Sequence, residues 1–208
     1  MPRIVCISDT HGFYQKVAVP DGDILIHSGD FGKRGSIDEL PYFHEWLASQ
    51  PHQYKIFVAG NHDWCFEREP GASRRLMTEV IYLRDSAVDI LGLRVYGSPW
   101  QPAFNDWAFN LVRGEALAKV WAKIPVDTDI LVTHCPPFGI LDRPRGQAPV
   151  GCEDLYQRVQ VVQPRLHCFG HIHEAYGERV IGPTTFVNSS VCNEHYNPCQ
   201  QALIVDLE

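Results

Sequence analysis

Several features are missing from this 208-residue sequence, and each absence excludes a class of protein. No apolar run approaches the roughly 20 residues of a membrane span; the longest are strand-sized. No internal repeat, low-complexity tract or linker divides the chain, so solenoid, collagen-like and disordered readings fail. Positive charge is in deficit, with 18 Lys and Arg against 25 Asp and Glu, a net charge of −7. Binding in a DNA or RNA groove is not expected from such a chain, because phosphate backbones attract cationic surfaces. The exception is a site that brings its own positive charge, such as metal ions. The seven Cys, at 6, 65, 135, 152, 168, 192 and 199, are odd in number and form no CxxC pair, which argues against a zinc knuckle. The opening Met-Pro-Arg-Ile-Val-Cys-Ile-Ser enters a strand pattern with no signal-peptide form. Reduced thiols, a cytoplasmic location and no membrane association are the corresponding expectations.

What is present is an ordinary globular composition, 45% hydrophobic and 21% charged. At roughly 150 residues per domain, one domain over 1–208 is expected. Short runs rich in Val and Ile read as buried strands at Arg3–Ser8, Asp23–Gly29, Tyr54–Gly60, Asp129–His134 and Leu166–Gly170. Helices are expected from the capping-box form of Ser36–Glu39 to Ser49, with Asp38 as the cap that places Pro41 in the first turn. Further helices are expected over Arg113–Ile124 and Cys152–Val162. Val80–Gly97 is β-rich with a turn at Leu91-Gly92, and Gly177–Ile181, Thr184–Asn188 and Ala202–Leu207 add more β content. The least regular stretches are Gly97–Asn110 and Cys135–Gly151, rich in Pro, Gly and aromatics.

The carboxyl ends of the five runs carry the chemistry. They present Asp9 and His11, Asp30, Asn61 with His62 and Asp63, His134, and His171 with His173. Ligands in open α/β sheets bind beyond the carboxyl ends of strands. Each block alone has a bland explanation as a turn, a helix cap or a packed His. Five at five strand ends do not. Two Asp, one Asn and four His suffice for two cations sharing one carboxylate. The absence of Cys from the set suits Mn, Fe, Co or Zn.

Asp9-x-His11, Gly29-Asp30, Gly60-Asn61-His62-Asp63, His134 and Gly170-His171-x-His173 together resemble the calcineurin-like metallophosphoesterase superfamily. Tyr96-Gly97-Ser98-Pro99-Trp100, Phe104–Asn110, His134–Pro137 and His173–Gly177 extend the likeness to its metallophosphoesterase-domain-containing branch. The resemblance implies two mixed β-sheets packed as an αββα sandwich flanked by helices, with metals at one end. It implies one divalent cation on Asp9, His11 and His173 and a second on Asn61, His134 and His171, with Asp30 bridging. His62 would face the substrate phosphoryl group, and Asp63 would orient its ring. Some vertebrate members of the branch have Gly where this chain has His171, so an intact second site is expected here. The implied activity is hydrolysis of small phosphodiesters such as cyclic nucleotides through a metal-bridging hydroxide, with manganese the cation expected to serve in vitro. The alternatives are a nucleotide-binding scaffold with low residual hydrolysis, a phosphomonoesterase or a protein phosphatase. Asn61, His62, Arg143 and Asn188 are the expected substrate contacts, with Arg145 beside them. Trp100, Phe104 and Trp107 either stack on a base or pack the loop. The oligomeric state is not legible.

Overall fold

The computed structural model describes residues 1–207. In chain order the strands are β1 (Arg3–Ile7), β2 (Ile24–His27), β3 (Tyr54–Phe57), β4 (Ile81–Tyr82), β5 (Ser86–Ile90), β6 (Leu93–Ser98), β7 (Gln101–Pro102), β8 (Asn110–Leu111), β9 (Ile130–Thr133), β10 (Leu166–Phe169), β11 (Gly177–Ile181), β12 (Thr184–Asn188) and β13 (Leu203–Asp206). The helices are α1 (Leu40–Ala48), α2 (Trp64–Arg68), α3 (Pro70–Leu76), α4 (Glu115–Trp121) and α5 (Glu153–Val162). None is long and apolar enough to cross a membrane.

One sheet runs β13-β1-β2-β3-β4, parallel except for β13 at its edge. The other runs β11-β12-β10-β9-β6-β5, with parallel inner strands and an antiparallel strand at each edge. Strand periodicity explains the layering. Ile4, Cys6, Ile24, Ile26 and Ile56 face inward and meet Ile130, Val132, Leu166 and Cys168 of the opposite sheet. Their neighbours Val5, Ile7, Leu25 and Phe57 face outward, under Leu40, Phe43 and Leu47 of α1. On the far side Leu131 and Phe169 lie under Leu117 and Trp121 of α4 and Leu155 and Val159 of α5. The result is the expected αββα sandwich. Strands covered on both faces read in sequence as unbroken apolar runs.

Several local expectations need correction. Ser36 and Glu39 do hydrogen-bond, at 3.3 Å, but they close a turn ahead of the helix. The cap of α1 is Glu39, not Asp38. Helices α2 and α3, of five and seven residues, lie outside the expected set, because neither is long enough to show a period. Gly97–Asn110 contains half of a two-stranded ribbon, β7 with β8. The Leu91-Gly92 turn stands: both residues have positive φ, 50° and 76°, as a two-residue type I′ hairpin requires.

Two outward positions break the apolar rule in the same way. His27 on β2 and His167 on β10 are fully buried. The Nε2–H of His27 donates to Thr10 Oγ1 at 3.0 Å, and that hydroxyl donates to the Phe31 carbonyl at 3.1 Å. His167 does the same to Thr133 at 2.9 Å, and Thr133 donates to the Cys135 carbonyl at 2.8 Å. Each His braces a segment leaving a strand end. Burial pushes both imidazoles down to about 3. Between pH 6.5 and 3 the unfolded chain takes up these protons and the folded one does not, so stability falls as pH drops through that window. His167→Gln keeps an N–H donor and removes one titrating group. Urea unfolding between pH 6.5 and 5 should show a decline shallower by about 2 kcal/mol in this variant; an unchanged slope would mean that His167 is not buried in its neutral form.

Candidate metal centre

Asp9, Asp30, Asn61, His134 and His171 each follow closely on the end of β1, β2, β3, β9 and β10. Both sheets present these ends at the same edge, where Ser8 and Ser190 bridge them. The glycines that precede the candidate ligands have a steric reason. A Cβ at Gly60 would collide with the Asp30 carboxylate and His134, and one at Gly170 would collide with Asp9 and Ser8. Backbone strain gathers here as well. Asp9, His11, Asp30 and His171 all adopt left-handed φ, at 53°, 43°, 59° and 70°. Non-glycine residues seldom do so unless the surroundings hold them there, and such strain tends to gather at functional sites.

The side chains converge on two neighbouring points. At the first, His173 Nε2 lies 3.2 Å from both His11 Nε2 and Asp9 Oδ1, and His11 Nε2 lies 3.9 Å from Asp9 Oδ1. At the second, His134 Nε2 lies 2.8 Å from Asn61 Oδ1 and 3.4 Å from Asp30 Oδ2. Asp30 Oδ2 faces both, standing 3.9 Å from His11 Nε2 and 3.9 Å from His62 Nε2. The other oxygen, Oδ1, is occupied by the backbone N–H of His62 at 2.8 Å. The His171 ring lies 5.0 Å from that of His134, centroid to centroid.

Backbone carbonyls set the imidazole orientations. His134 Nδ1 donates to the Ser28 carbonyl, His173 Nδ1 to that of Asn193, and His62 Nδ1 to that of Lys33, each at 2.9 Å. Nε2 is thereby turned toward the centre in all three, the arrangement that second contacts impose on metal-binding imidazoles. Ser190 donates its hydroxyl to Asp9 Oδ2 at 2.8 Å.

Burial alone would raise the Asp9 carboxyl, but His173, His134 and His11 outweigh it and hold it well below the usual range. Asp30 is lowered likewise, chiefly by His134 and His62 against burial. Burial opposes charge on His134 and His173, yet the facing Asp30 and Asp9 lift them to about 9. Burial pushes His11 down to about 4 and His171 to about 3. Among the described residues neither Asp9 nor Asp30 pairs with Lys or Arg, although both carboxylates are buried.

The donor set fits divalent cations. Metal–ligand bonds near 2.1 Å place adjacent ligands about 3.0–3.4 Å apart, and the observed separations around His173 and His134 fall in or near that range. Nε2 of His173 and Nε2 of His11 stand 3.2 Å apart beside the Asp9 carboxylate. Without a cation, such a cluster of acceptors needs protons to hold it together.

Asp9, His11, Asp30, Asn61, His62, His134, His171 and His173 therefore meet as expected from the sequence. Three other residues do not take their expected places. Asp63 does not touch the His62 ring; its carboxylate accepts the backbone N–H groups of Gly60, Asp30 and Phe31 at 2.7, 2.8 and 3.0 Å. Burial and the Asp30 charge push its carboxyl up. Asn188 is fully buried and donates to the carbonyls of Leu141 and Ile172, so it ties loops together and cannot reach a substrate. Arg143 is exposed and lies outside the lining of the cleft. Arg145 instead approaches Glu194, on the rim, at 3.8 Å. Of the loop aromatics, Trp100 donates its indole N–H to Asp85, whereas Phe104 and Trp107 line the cleft. Trp107 stacks on His62 at 4.1 Å. Sequence reasoning missed Tyr196, whose ring packs edge-on to His11 with centroids 4.7 Å apart and whose φ is 58°, and it missed the Asn193 carbonyl. Nothing in their spacing marks them. Ser190, by contrast, follows the end of β12 and obeys the strand-end rule.

A model of the calcineurin-like phosphoesterase family matches residues 2–175. Metallophosphoesterase domain-containing protein 1 of Homo sapiens is 46% identical over 230 aligned positions, which cover 99% of this chain and 71% of the human protein. One solved structure superposes with a TM-score of 0.68 at 16% identity over 90% of each chain. The protein TT1561 of Thermus thermophilus does so with a TM-score of 0.60 at 16% identity, covering 90% of this chain and 88% of its own. At such identity the structural matches speak for the fold alone.

Asp63 acting as a backbone clamp has a consequence. Asp63→Asn turns one acceptor into a donor facing the N–H groups of Gly60, Asp30 or Phe31. Thermal stability and cation affinity should drop together, with at least a tenfold weaker Mn2+ titration. Normal stability and metal loading with a loss confined to turnover would instead restore Asp63 as the partner of His62.

Proposed function

The chain belongs to the calcineurin-like phosphoesterase family, divalent-metal-dependent hydrolases of phosphoric esters, and from that premise we propose that it hydrolyses small phosphodiesters, cyclic nucleotides among them. The observation that carries the proposal is Asp30, whose Oδ2 faces His134 at 3.4 Å on one side and His11 at 3.9 Å on the other. That placement suits a carboxylate shared by two cations. Asp9, His11 and His173 would hold one and Asn61, His134 and His171 the other, with Mn, Fe, Zn or Co as suitable ions. Bound there, such cations supply positive charge to phosphoryl oxygens and acidify water.

The remaining work falls to the chain's own groups. His62 keeps Nδ1–H on the Lys33 carbonyl and its ring flat against Trp107, so Nε2 is the nitrogen left to hand a proton or hydrogen bond to a departing oxygen. Asn61 and His62 are the proposed substrate contacts. Diesters are favoured over monoesters by the rim. Glu174 and Glu194 line the cleft, and although Arg145 offsets Glu194 at 3.8 Å, Glu174 has no such partner among the described residues and repels a dianionic monoester more than a singly charged diester. Asp30 and Tyr196, from the two ends of the chain, line one cleft, which supports 1–208 as one functional domain. The odd cysteine count makes the cytoplasm the proposed compartment.

The test is a panel of an aryl diester, an aryl monoester and 2′,3′- and 3′,5′-cyclic nucleotides against Mn-loaded protein. Diesters should turn over fastest. Asp30→Ala should abolish metal-dependent hydrolysis, and His62→Gln should keep both cations while lowering kcat about 100-fold. Metal-loaded protein that retains nucleotide and cleaves no ester would make the chain a nucleotide-binding scaffold instead.

A further inference from the structure

A second cavity lies beside the metal cleft. It has a volume of about 620 Å³, and its lining includes three cationic side chains, Lys33, Arg34 and Arg68, two acidic ones, Glu69 and Asp106, and the indoles of Trp64 and Trp107. The metal cleft measures about 230 Å³. Trp107 lines both, so the two spaces share that indole as a wall. A volume of 620 Å³ is in the range of small-molecule sites.

The cavity is unlike the rest of this acidic protein. The Arg68 guanidinium lies over the Trp64 indole, 3.9 Å from its centroid. Among the described residues neither Arg34 nor Arg68 forms an ion pair or a side-chain hydrogen bond. Two guanidinium groups without carboxylate partners, one of them stacked on Trp64, near the Trp107 indole match a phosphate attached to an aromatic base. The wall is built into the fold. Gly35, at φ 51°, packs against the backbone of Asp63, and its carbonyl accepts the N–H of Cys65 at 2.9 Å. The Lys33 carbonyl holds His62 Nδ1 at 2.9 Å. The wall of the cavity and the orientation of His62 therefore belong to one segment.

The metal cleft differs in its lining. Glu174 and Glu194 belong to it with Phe104 and Tyr196, which are 59% and 47% exposed, and Arg145 approaches Glu194 at 3.8 Å. Glu174, unpaired among the described residues, and the two exposed rings suit an uncharged aromatic group better than a second phosphate.

We propose that this cavity is a subsite for a phosphorylated nucleoside, and that the preferred substrate is a linear dinucleotide whose second arm carries a terminal phosphate. The proposal rests on the phosphodiesterase reading and narrows it. A cyclic nucleotide has no arm to reach past Trp107, so it uses the metal cleft alone. A linear diester places its scissile phosphate at the cations, an uncharged arm against Phe104 and Tyr196, and its charged arm on Arg34 and Arg68.

The experiment separates binding from turnover. Mn-loaded protein is titrated with two dinucleoside phosphorothioates that resist hydrolysis, identical except for a terminal phosphate on one. The phosphorylated compound should bind about tenfold more tightly. Arg34→Ala combined with Arg68→Ala should bring the ratio of the two affinities close to one. Turnover of the corresponding natural dinucleotides should show the same preference in kcat/KM and the same collapse. Equal affinities in the unaltered protein, or a ratio that survives the double substitution, would overturn the subsite. A retained binding ratio with no hydrolysis of any diester would leave the subsite standing and refute the catalytic reading on which its substrate role rests.

Discussion

Buried negative charge without a Lys or Arg to meet it is the constraint that organises this molecule. Asp9 and Asp30 lie within the protein at one end of the sandwich, and imidazoles are their near neighbours. Carboxylates removed from water are costly unless paired. Protons on His134 and His173 can balance the two carboxylates, and the proposed pair of divalent cations would more than do so, leaving positive charge for an anionic substrate. The loop conformations follow from this demand. Left-handed Asp9, His11, Asp30 and His171, and glycines that let the strand ends touch, are features a purely structural edge would not need.

The sandwich supplies the rigidity. Parallel strands in both sheets bring their carboxyl ends to one edge, and residues far apart in the chain meet there because β1, β2, β3, β9 and β10 end together. Behind them His27 and His167 each hold a Thr, and through it the loop beyond. These imidazoles hold Thr10 between Asp9 and His11 and Thr133 beside His134, which restrains the loops where the candidate ligands stand.

Much of this was legible in the sequence, because the relevant signals are local. Val and Ile runs between turns marked the strands, Leu91-Gly92 marked the hairpin, and Asp, Asn and His at strand ends marked the side chains that meet at the sheet edge. What failed depended on contacts between distant segments. Asp63 sits beside His62 in sequence, yet the N–H groups of residues 30, 31 and 60 claim its carboxylate. Asn188 follows the strand-end rule but is turned inward by the carbonyls of Leu141 and Ile172. Arg143 had only its charge to recommend it, and charge does not say where a loop points. Tyr196 and Asn193 reach the site through a return of the chain that no spacing foretells. Helices α2 and α3 are too short to carry a period.

The account stands or falls on two cations sharing Asp30. Anomalous diffraction from crystals grown with excess Mn2+ addresses this directly. Two peaks about 3.5–4 Å apart are expected, with one Asp30 oxygen between them and His134 and His173 each turned to a different ion. A single peak, or two that do not share Asp30, would contradict it.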